Sequence, residues 1–265
     1  MQLTIRHTTH YTYDAPVDYG LQQVRLRPLE TSQQNILNWG VDVEGCKIET
    51  SYTDHNGNHV DLLSVTGGST SIAITAHGSV ETIDTAGILT RGPGAAAPWY
   101  YLSQTPLTAP GDSIKALAGV VREATDTLSA LHDLSHAILK ATPYLIGETY
   151  AATTAEEALN GHGGVCQDHA QIFVSAARAA GIPARYVSGY LMMNDRVEQD
   201  ASHAWAEALV DGLGWIGFDV SNGISPDMRY VRLAVGLDYR QAAPISGLRL
   251  SNANETMVVS LHVEQ

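Results

Sequence analysis

Residues 163–190 read GGVCQDHAQIFVSAARAAGIPARYVSGY, a loop of small residues followed by a helix, a stop and a strand. Gly163 and Gly164 permit a close backbone approach that a Cβ would block. From Cys166 onward, Ile172, Phe173, Ala176, Ala177 and Ala180 recur at helical spacing. Gly181 sits where a helix takes its C′ glycine, and Pro183 follows it. Residues 185–190 then suit a strand, with Tyr186, Val187 and Tyr190 as its bulky positions. This reading puts a cysteine on the first turn of a helix, where unpaired N–H groups and the positive end of the dipole favour thiolate over thiol. A cysteine nucleophile belongs in such a place.

A thiol nucleophile needs a base, and the base needs a group that fixes its tautomer. Downstream, SHAWAEALV places His203 at the start of a strand, 37 positions after Cys166. GWIGFDVSNG places Asp219 at the end of the next strand, 16 positions further on. Adjacent antiparallel strands can set that histidine beside that aspartate while the cysteine's helix packs across them.

Upstream, the pattern changes twice. Leu3, Ile5, His7, Thr9, Tyr11 and Tyr13 share one side of a period-2 alternation, and VRLRP at 24–28 alternates likewise. Trp39, Val41 and Val43 share a face of a further strand, Asn56-Gly57 signals a turn, and residues 60–65, 71–76 and 79–84 complete the set. Strand after strand without helix predicts a small β-sandwich or curled sheet over residues 1–90. RGPGAAAP at 91–98 is a linker by composition. Helices follow. Asp112 or Ser113 can cap the first, Leu128, Leu131, Leu134 and Ile138 mark the second, and Thr154 with Glu157 makes a capping box for a third. The tail, 231–265, returns to strand-like alternation.

GVCQDHA, GIPARYVSGY, ASHAWAEALV and GWIGFDVSNG, in this order, resemble the transglutaminase-like superfamily of papain-like enzymes, in particular its bacterial branch with a β-rich N-terminal region. PYLIGET, EEAL, RLRP, DHNGN and GLDYRQAAP extend the resemblance over nearly the whole chain. It implies an α+β fold with three parts. An N-terminal β-sandwich-like domain spans 1–90, and a papain-like core over 105–230 packs the cysteine's helix on an antiparallel sheet. The C-terminal strands of 231–265 return to the first domain. It further implies Cys166 as nucleophile, His203 as general base and acid, and Asp219 as its orienter. Two positions depart from the family pattern: Val220-Ser221 stands where Pro-Thr is usual, and Leu237 replaces an arginine.

Other residues carry weaker signals. Cys46 has no helix start or partner and reads as strand core. His132 and His136 have the i, i+4 spacing of metal ligands, but without a glutamate after the first or an evident third ligand they read as solvated or capping residues. His162 and His169 flank the cysteine, where they can raise the local positive charge, shape the cleft or simply pack. Asp168 suits a helix start. An oxyanion needs two donors, of which the Cys166 N–H is one and Asn160 or Tyr144 the other. Trp205 and Trp215 read as sheet-packing residues.

With 28 acidic against 15 basic side chains, a net charge of −13 disfavours nucleic acid and anionic membrane as partners. The N-terminus lacks a signal-peptide pattern, and two distant cysteines suit a reducing compartment, so a cytoplasmic location is expected. No cofactor or metal is expected, and no calcium-loop pattern is evident. The expected activity is thiol-dependent acyl transfer at amide bonds of a peptide or protein, as a cysteine peptidase, amidase or isopeptide hydrolase. A transglutaminase with an amine acceptor, a non-catalytic binding module and a metal-dependent hydrolase are the competing readings.

Overall fold

Period-2 alternation becomes long strands in the first part of the chain. In a computed structural model, which describes residues 1–90 and 96–265, these are β1 (Gln2–Val17), β2 (Tyr19–Val24), β3 (Gln34–Glu44), β4 (Cys46–Thr53), β5 (His59–Val65), β6 (Ser69–Thr82) and the short β7 (Ile88–Leu89). The six alternating residues of β1, from Leu3 to Tyr13, are all buried. Four helices follow: α1 (Asp112–Glu123), α2 (Thr127–Ala141), α3 (Ala155–Asn160) and α4 (Cys166–Ala179). The chain then runs through β8 (Ala184–Leu191), β9 (Glu198–Gln199), β10 (His203–Val210), β11 (Gly214–Phe218), β12 (Tyr230–Gly236), α5 (Tyr239–Ala242), β13 (Ile245–Leu250) and β14 (Glu255–Glu264).

The fold is α+β, with three sheets ordered β3-β6-β1-β14-β9, β13-β2-β5-β4 and β12-β8-β10-β11-β7. The first two share one apolar core, from Leu3, Ile5, Ile72 and Ile74 to Leu26 and Leu63, and Tyr190, Val231 and Leu233 of the third sheet join it. α4 lies on that third sheet with Ile172, Phe173, Ala176 and Ala177 against Ala206, Ala208 and Phe218. Fully burying a side chain such as Ile172 or Phe173 is worth about 1.5–3 kcal/mol over leaving it exposed. The helix stops as expected. Gly181 has φ +90°, its N–H reaches the Arg178 carbonyl, and the Ile182 N–H reaches that of Ala177, the two bonds of a Schellman motif.

Several expectations change. Residues 25–28 are not strand, and the pairing of β2 with β13 goes no further than the Arg25 N–H, which donates to the Pro244 carbonyl. The strands expected at 71–76 and 79–84 are one, since Gly78 makes no turn. A Cβ there would fall 2.2 Å from the Asn38 carbonyl oxygen, so glycine serves the close approach of β3. β4, with mostly exposed side chains, had no alternating signal. Neither Asp112 nor Ser113 caps α1. The Glu156 carboxylate does so from α3, accepting from the N–H groups of Gly111, Ser113 and Ile114. The expected linker falls largely on residues 91–95, outside the described residues, while Pro98–Leu102 form a short 3-10 turn.

β13 and β14 pair with β2 and β1, but β12, assigned to the tail from sequence, is an edge strand of the core sheet beside β8. Two amide side chains of the N-terminal part close its free edge. Gln34 bonds the N–H and carbonyl of Arg232 at 2.8 and 2.9 Å, and Asn58 bonds those of Val235 at 2.8 and 2.7 Å. Each amide takes the place of a missing strand at its residue, pairing both backbone groups of Arg232 and of Val235.

Candidate active site

Local packing fixes the helix start first. A Cβ on Gly163 would lie 2.6 Å from the Pro143 carbonyl oxygen, and one on Gly164 would lie 2.8 Å from Asp168 Oδ2. Glycine at both positions lets residues 143–145 run beside the loop, with Gly164 N–H donating to Pro143 and Leu145 N–H to Gly164. Asp168 accepts from the Val165 N–H at 2.8 Å and the Thr149 hydroxyl at 2.6 Å. Its carboxylate thus ties the helix start to the neighbouring loop, the helix-start role expected from sequence. Cys166 opens α4 and remains partly exposed.

β10 brings His203 to this helix and the turn after β11 brings Asp219. His203 Nε2 lies 2.7 Å from Asp219 Oδ2, with Asp219 fully buried, and Cys166 lies close enough to the same imidazole to favour its charged form. With Nε2 held by the carboxylate, Nδ1 is the nitrogen left for sulfur. Burial opposes the imidazolium, but hydrogen bonds to Asp219 and Cys166 and their charges outweigh it and raise His203 to about 10. Burial likewise opposes the Asp219 carboxylate, and its bonds from His203, Tyr230 and Asn222 still hold it below the usual carboxylate range. The arrangement is an ionised aspartate and an imidazolium beside the Cys166 sulfur at a helix N-terminus.

Two members of the site carried no sequence signal that was used. The Tyr230 hydroxyl donates to Asp219 Oδ2 at 2.6 Å, and Asn222 Nδ2 donates to the same oxygen at 2.7 Å. Asn222 lies in the turn directly after Asp219, where a polar residue was a readable clue. Tyr230 comes from β12, and only the topology brings it in. Trp205 stacks near the His203 ring, with centroids 6.4 Å apart and planes at 29°, so it lines the site as well as the sheet. Trp215 packs against the buried Arg185 guanidinium, 4.0 Å from its ring centroid.

The remaining candidates separate. Asn160 gives its amide to Glu156 and accepts from Ser113, which turns it toward α1. Tyr144 stays beside the helix start, half-exposed, with burial and then the charges of Cys166 and Asp219 keeping its phenol protonated. His169 does not add positive charge. Burial lowers its pKa, its Nε2 meets the Thr142 carbonyl, and Ser221 bonds Nδ1. Ser221 is one of the departures from the family pattern, and its hydroxyl holds this neutral ring. His162 lines an open cleft of about 280 Å³ with Glu148, Tyr150 and Glu157. His132 packs its ring near Phe218 at 5.0 Å, and among the described residues no three His, Cys, Asp or Glu side chains group as metal ligands. Leu237, the other departure, is buried, with its carbonyl accepting from Arg178 and its N–H donating to Gln241 Oε1.

The transglutaminase-like superfamily core pattern matches residues 115–220, and the bacterial transglutaminase-like N-terminal region matches residues 3–81. The chain belongs to this superfamily. An uncharacterized protein of Mycobacterium leprae is 26% identical over 274 residues, covering 93% of this chain and 92% of its own. One from Mycobacterium tuberculosis strain H37Rv is 27% identical over 283 residues, covering 96% and 89%. A crystal structure of a candidate cysteine protease from Cytophaga hutchinsonii superposes with a TM-score of 0.78 at 24% identity, covering all of this chain and 91% of that one. At that identity the likeness is one of fold, and it spans both the β-rich N-terminal part and the transglutaminase core.

Proposed function

We propose that the protein is a thiol acyltransferase acting on amide bonds of peptides or proteins, with water as its principal acceptor. One observation carries this reading: a single buried imidazole bonded to the Asp219 carboxylate and set beside the Cys166 sulfur at a helix start. The Cys166 thiolate attacks the carbonyl carbon and forms a C–S bond, while the Cys166 N–H and the Tyr144 hydroxyl receive the oxyanion. The C–N bond then breaks, and its electron pair takes the proton of the His203 imidazolium, so a neutral amine leaves. His203, now neutral, removes a proton from water as it attacks the thioester, and returns that proton to the departing sulfur. Cys166 is partly open to solvent, so water needs no dedicated path. An amine entering in place of water makes the same intermediate a crosslinking one. Both cysteines are free, which suits a reducing compartment, and we place the protein in the cytoplasm.

Mass spectrometry of the purified protein with a mixture of glutamine-containing and other peptides, with and without a primary amine, tests the proposal. An acyl adduct on Cys166 that resolves to acid is expected, with Cys166→Ser inert. Amine-dependent product alone replaces hydrolysis by transamidation. A wild-type protein that forms neither adduct nor product defeats the reading.

A further inference from the structure

Asp219 Oδ2 accepts three hydrogen bonds at once, from His203, Asn222 and Tyr230, while Oδ1 receives only the Asn222 N–H at 3.3 Å. The donors come from three directions: β10, the turn after β11, and the edge strand β12. Tyr230 is buried, its ring lies 6.0 Å from that of His203 and packs edge-on against Trp205 at 5.5 Å, so the hydroxyl has a fixed direction. Its strand is held in turn by Gln34 and Asn58 of the N-terminal part.

We propose that Tyr230 is a positioning residue that fixes the Asp219 carboxylate and limits how much of its charge reaches His203, and that the N-terminal β domain serves the site by anchoring the strand that carries it. This rests on the triad proposed above. The sign follows from the geometry. The hydroxyl points its positive end at the oxygen that faces His203 and withdraws some of that oxygen's negative potential. Without it, the imidazolium is stabilised more and becomes a weaker acid, which is poor for delivering a proton to a departing amine. Other groups around the imidazole are Cys166 and the neutral His169 from α4, while the Asp227–Arg229 pair lies near Tyr230 on the approach to β12. None of these is altered by removing one hydroxyl.

The test is Tyr230→Phe, which keeps the ring and its packing. The His203 imidazole is titrated by nitrogen-15 NMR from pH 6 to 11 in both proteins, and the rate of Cys166 alkylation by iodoacetamide is followed over the same range. The variant is expected to titrate higher by about half a unit or more, a shift ordinary for a lost hydrogen bond to a charged group. Turnover on any accepted amide should drop roughly tenfold or more, as for other groups standing behind a reacting side chain. Replacing Tyr230 by 3-fluorotyrosine, a stronger donor of nearly the same shape, should move His203 the opposite way and guards against a folding defect in the first variant. An unchanged or lowered His203 titration in a folded Tyr230→Phe overturns the proposal. A wild-type Cys166 that alkylates no faster than a simple thiol at pH 6 defeats the triad instead, so the two failures are distinct.

Discussion

The N-terminal sandwich and the core each bury a histidine and each hold one cysteine, yet only one pair is equipped for chemistry. In the sandwich, His7 meets the neutral hydroxyls of Tyr190 and Thr9, and burial alone pushes its pKa down to about 4. Cys46 lies in strand β4, and burial pushes its thiol up to about 11. In the core, His203 is just as enclosed, but a carboxylate and a thiol at a helix start raise it to about 10. Burial silences an ionisable group unless charged or strongly bonding partners are buried with it. The chemistry therefore lies in the company a residue keeps.

The sharpest break of this comparison is exchange of the two thiols' side chains in turn. Cys166→Ala should abolish acyl transfer, by on the order of 10³-fold or more for loss of a nucleophile that acts as part of a unit. Cys46→Ala should leave it intact. Iodoacetamide at pH 6 should label Cys166 alone, because Cys166 is partly exposed beside His203 whereas burial pushes the Cys46 thiol up to about 11. Equal labelling, or labelling that persists in Cys166→Ser, would erase the distinction.

Asp219→Asn removes the charge that separates His203 from His7. In a serine triad the same swap costs about 10⁴ in kcat, and a thiol needs less help because its thiolate is intrinsically accessible. A loss of roughly 10²–10³ in kcat is expected, read on any substrate the wild type accepts. Near-normal turnover in a folded variant removes Asp219 from the mechanism, and collapse of the fold makes it structural.

The same variant has a pH signature in stability. His203 titrates at about 10 in the folded protein against 6.5 in a free chain, so the stability it lends is complete below about 6.5 and disappears as pH rises to 10. Asp219 adds stability above its free-chain value and loses it as pH falls below. The melting gap between wild type and Asp219→Asn should be widest near pH 5–6 and close toward pH 10. His7 has the opposite sign, its contribution fading as pH drops from 6.5 to 4, in both proteins alike. A gap that widens with alkali would mean that His203 is neutral in the folded state.

What was legible in the sequence is what depends on near neighbours. The alternation of β1, the Thr154–Glu157 capping box and the end of α4 at Gly181 are local patterns, and all three are present. Cys166, His203 and Asp219 are far apart in sequence, but each stands at the end of a regular element, and the resemblance fixed their order. Tyr230 and Gln34 had no such marks, and Asn58 in DHNGN and Glu156 in EEAL had a place in the resemblance but no readable role. Each acts through an edge or a helix start supplied by a distant segment, and no period or spacing in the sequence announces that meeting. The strands expected at 71–76 and 79–84 proved to be one for a related reason, with Gly78 between them. A glycine reads as a turn locally, while its use here is the close passage of another strand.

The amides that close β12 test whether the two halves are energetically one. Asn58→Ala leaves the N–H and carbonyl of Val235 without partners, and a buried unsatisfied group costs about 1–3 kcal/mol. Denaturant unfolding should show that loss as a single shifted transition. Two separate transitions would mean that the sandwich and the core unfold independently.

The smallest effect expected is that of Glu156→Gln, and it sharpens the comparison from the side of the helices. Where the sandwich is held by registers of strand on strand, α1 is started by a carboxylate that belongs to another helix. Glu156 accepts from three N–H groups at the beginning of α1 at 2.9–3.1 Å, and although burial opposes its charge, those bonds hold its carboxyl below the usual range. An amide of the same shape keeps one acceptor oxygen and loses the charge that answers the helix dipole. N-cap replacements run to about 0.5–2 kcal/mol, and keeping half of the acceptor places this one near the low end, about 0.5–1 kcal/mol. The contribution belongs to the ionised form, so it is present above the ordinary glutamate value and lost as pH falls through the folded one. Melts of both proteins should therefore differ at pH 7, and the difference should shrink as the pH falls through the folded value. Hydrogen exchange confined to residues 112–116 should rise in the variant at pH 7. A difference that stays constant with falling pH would assign the loss to packing around α3 rather than to the charge.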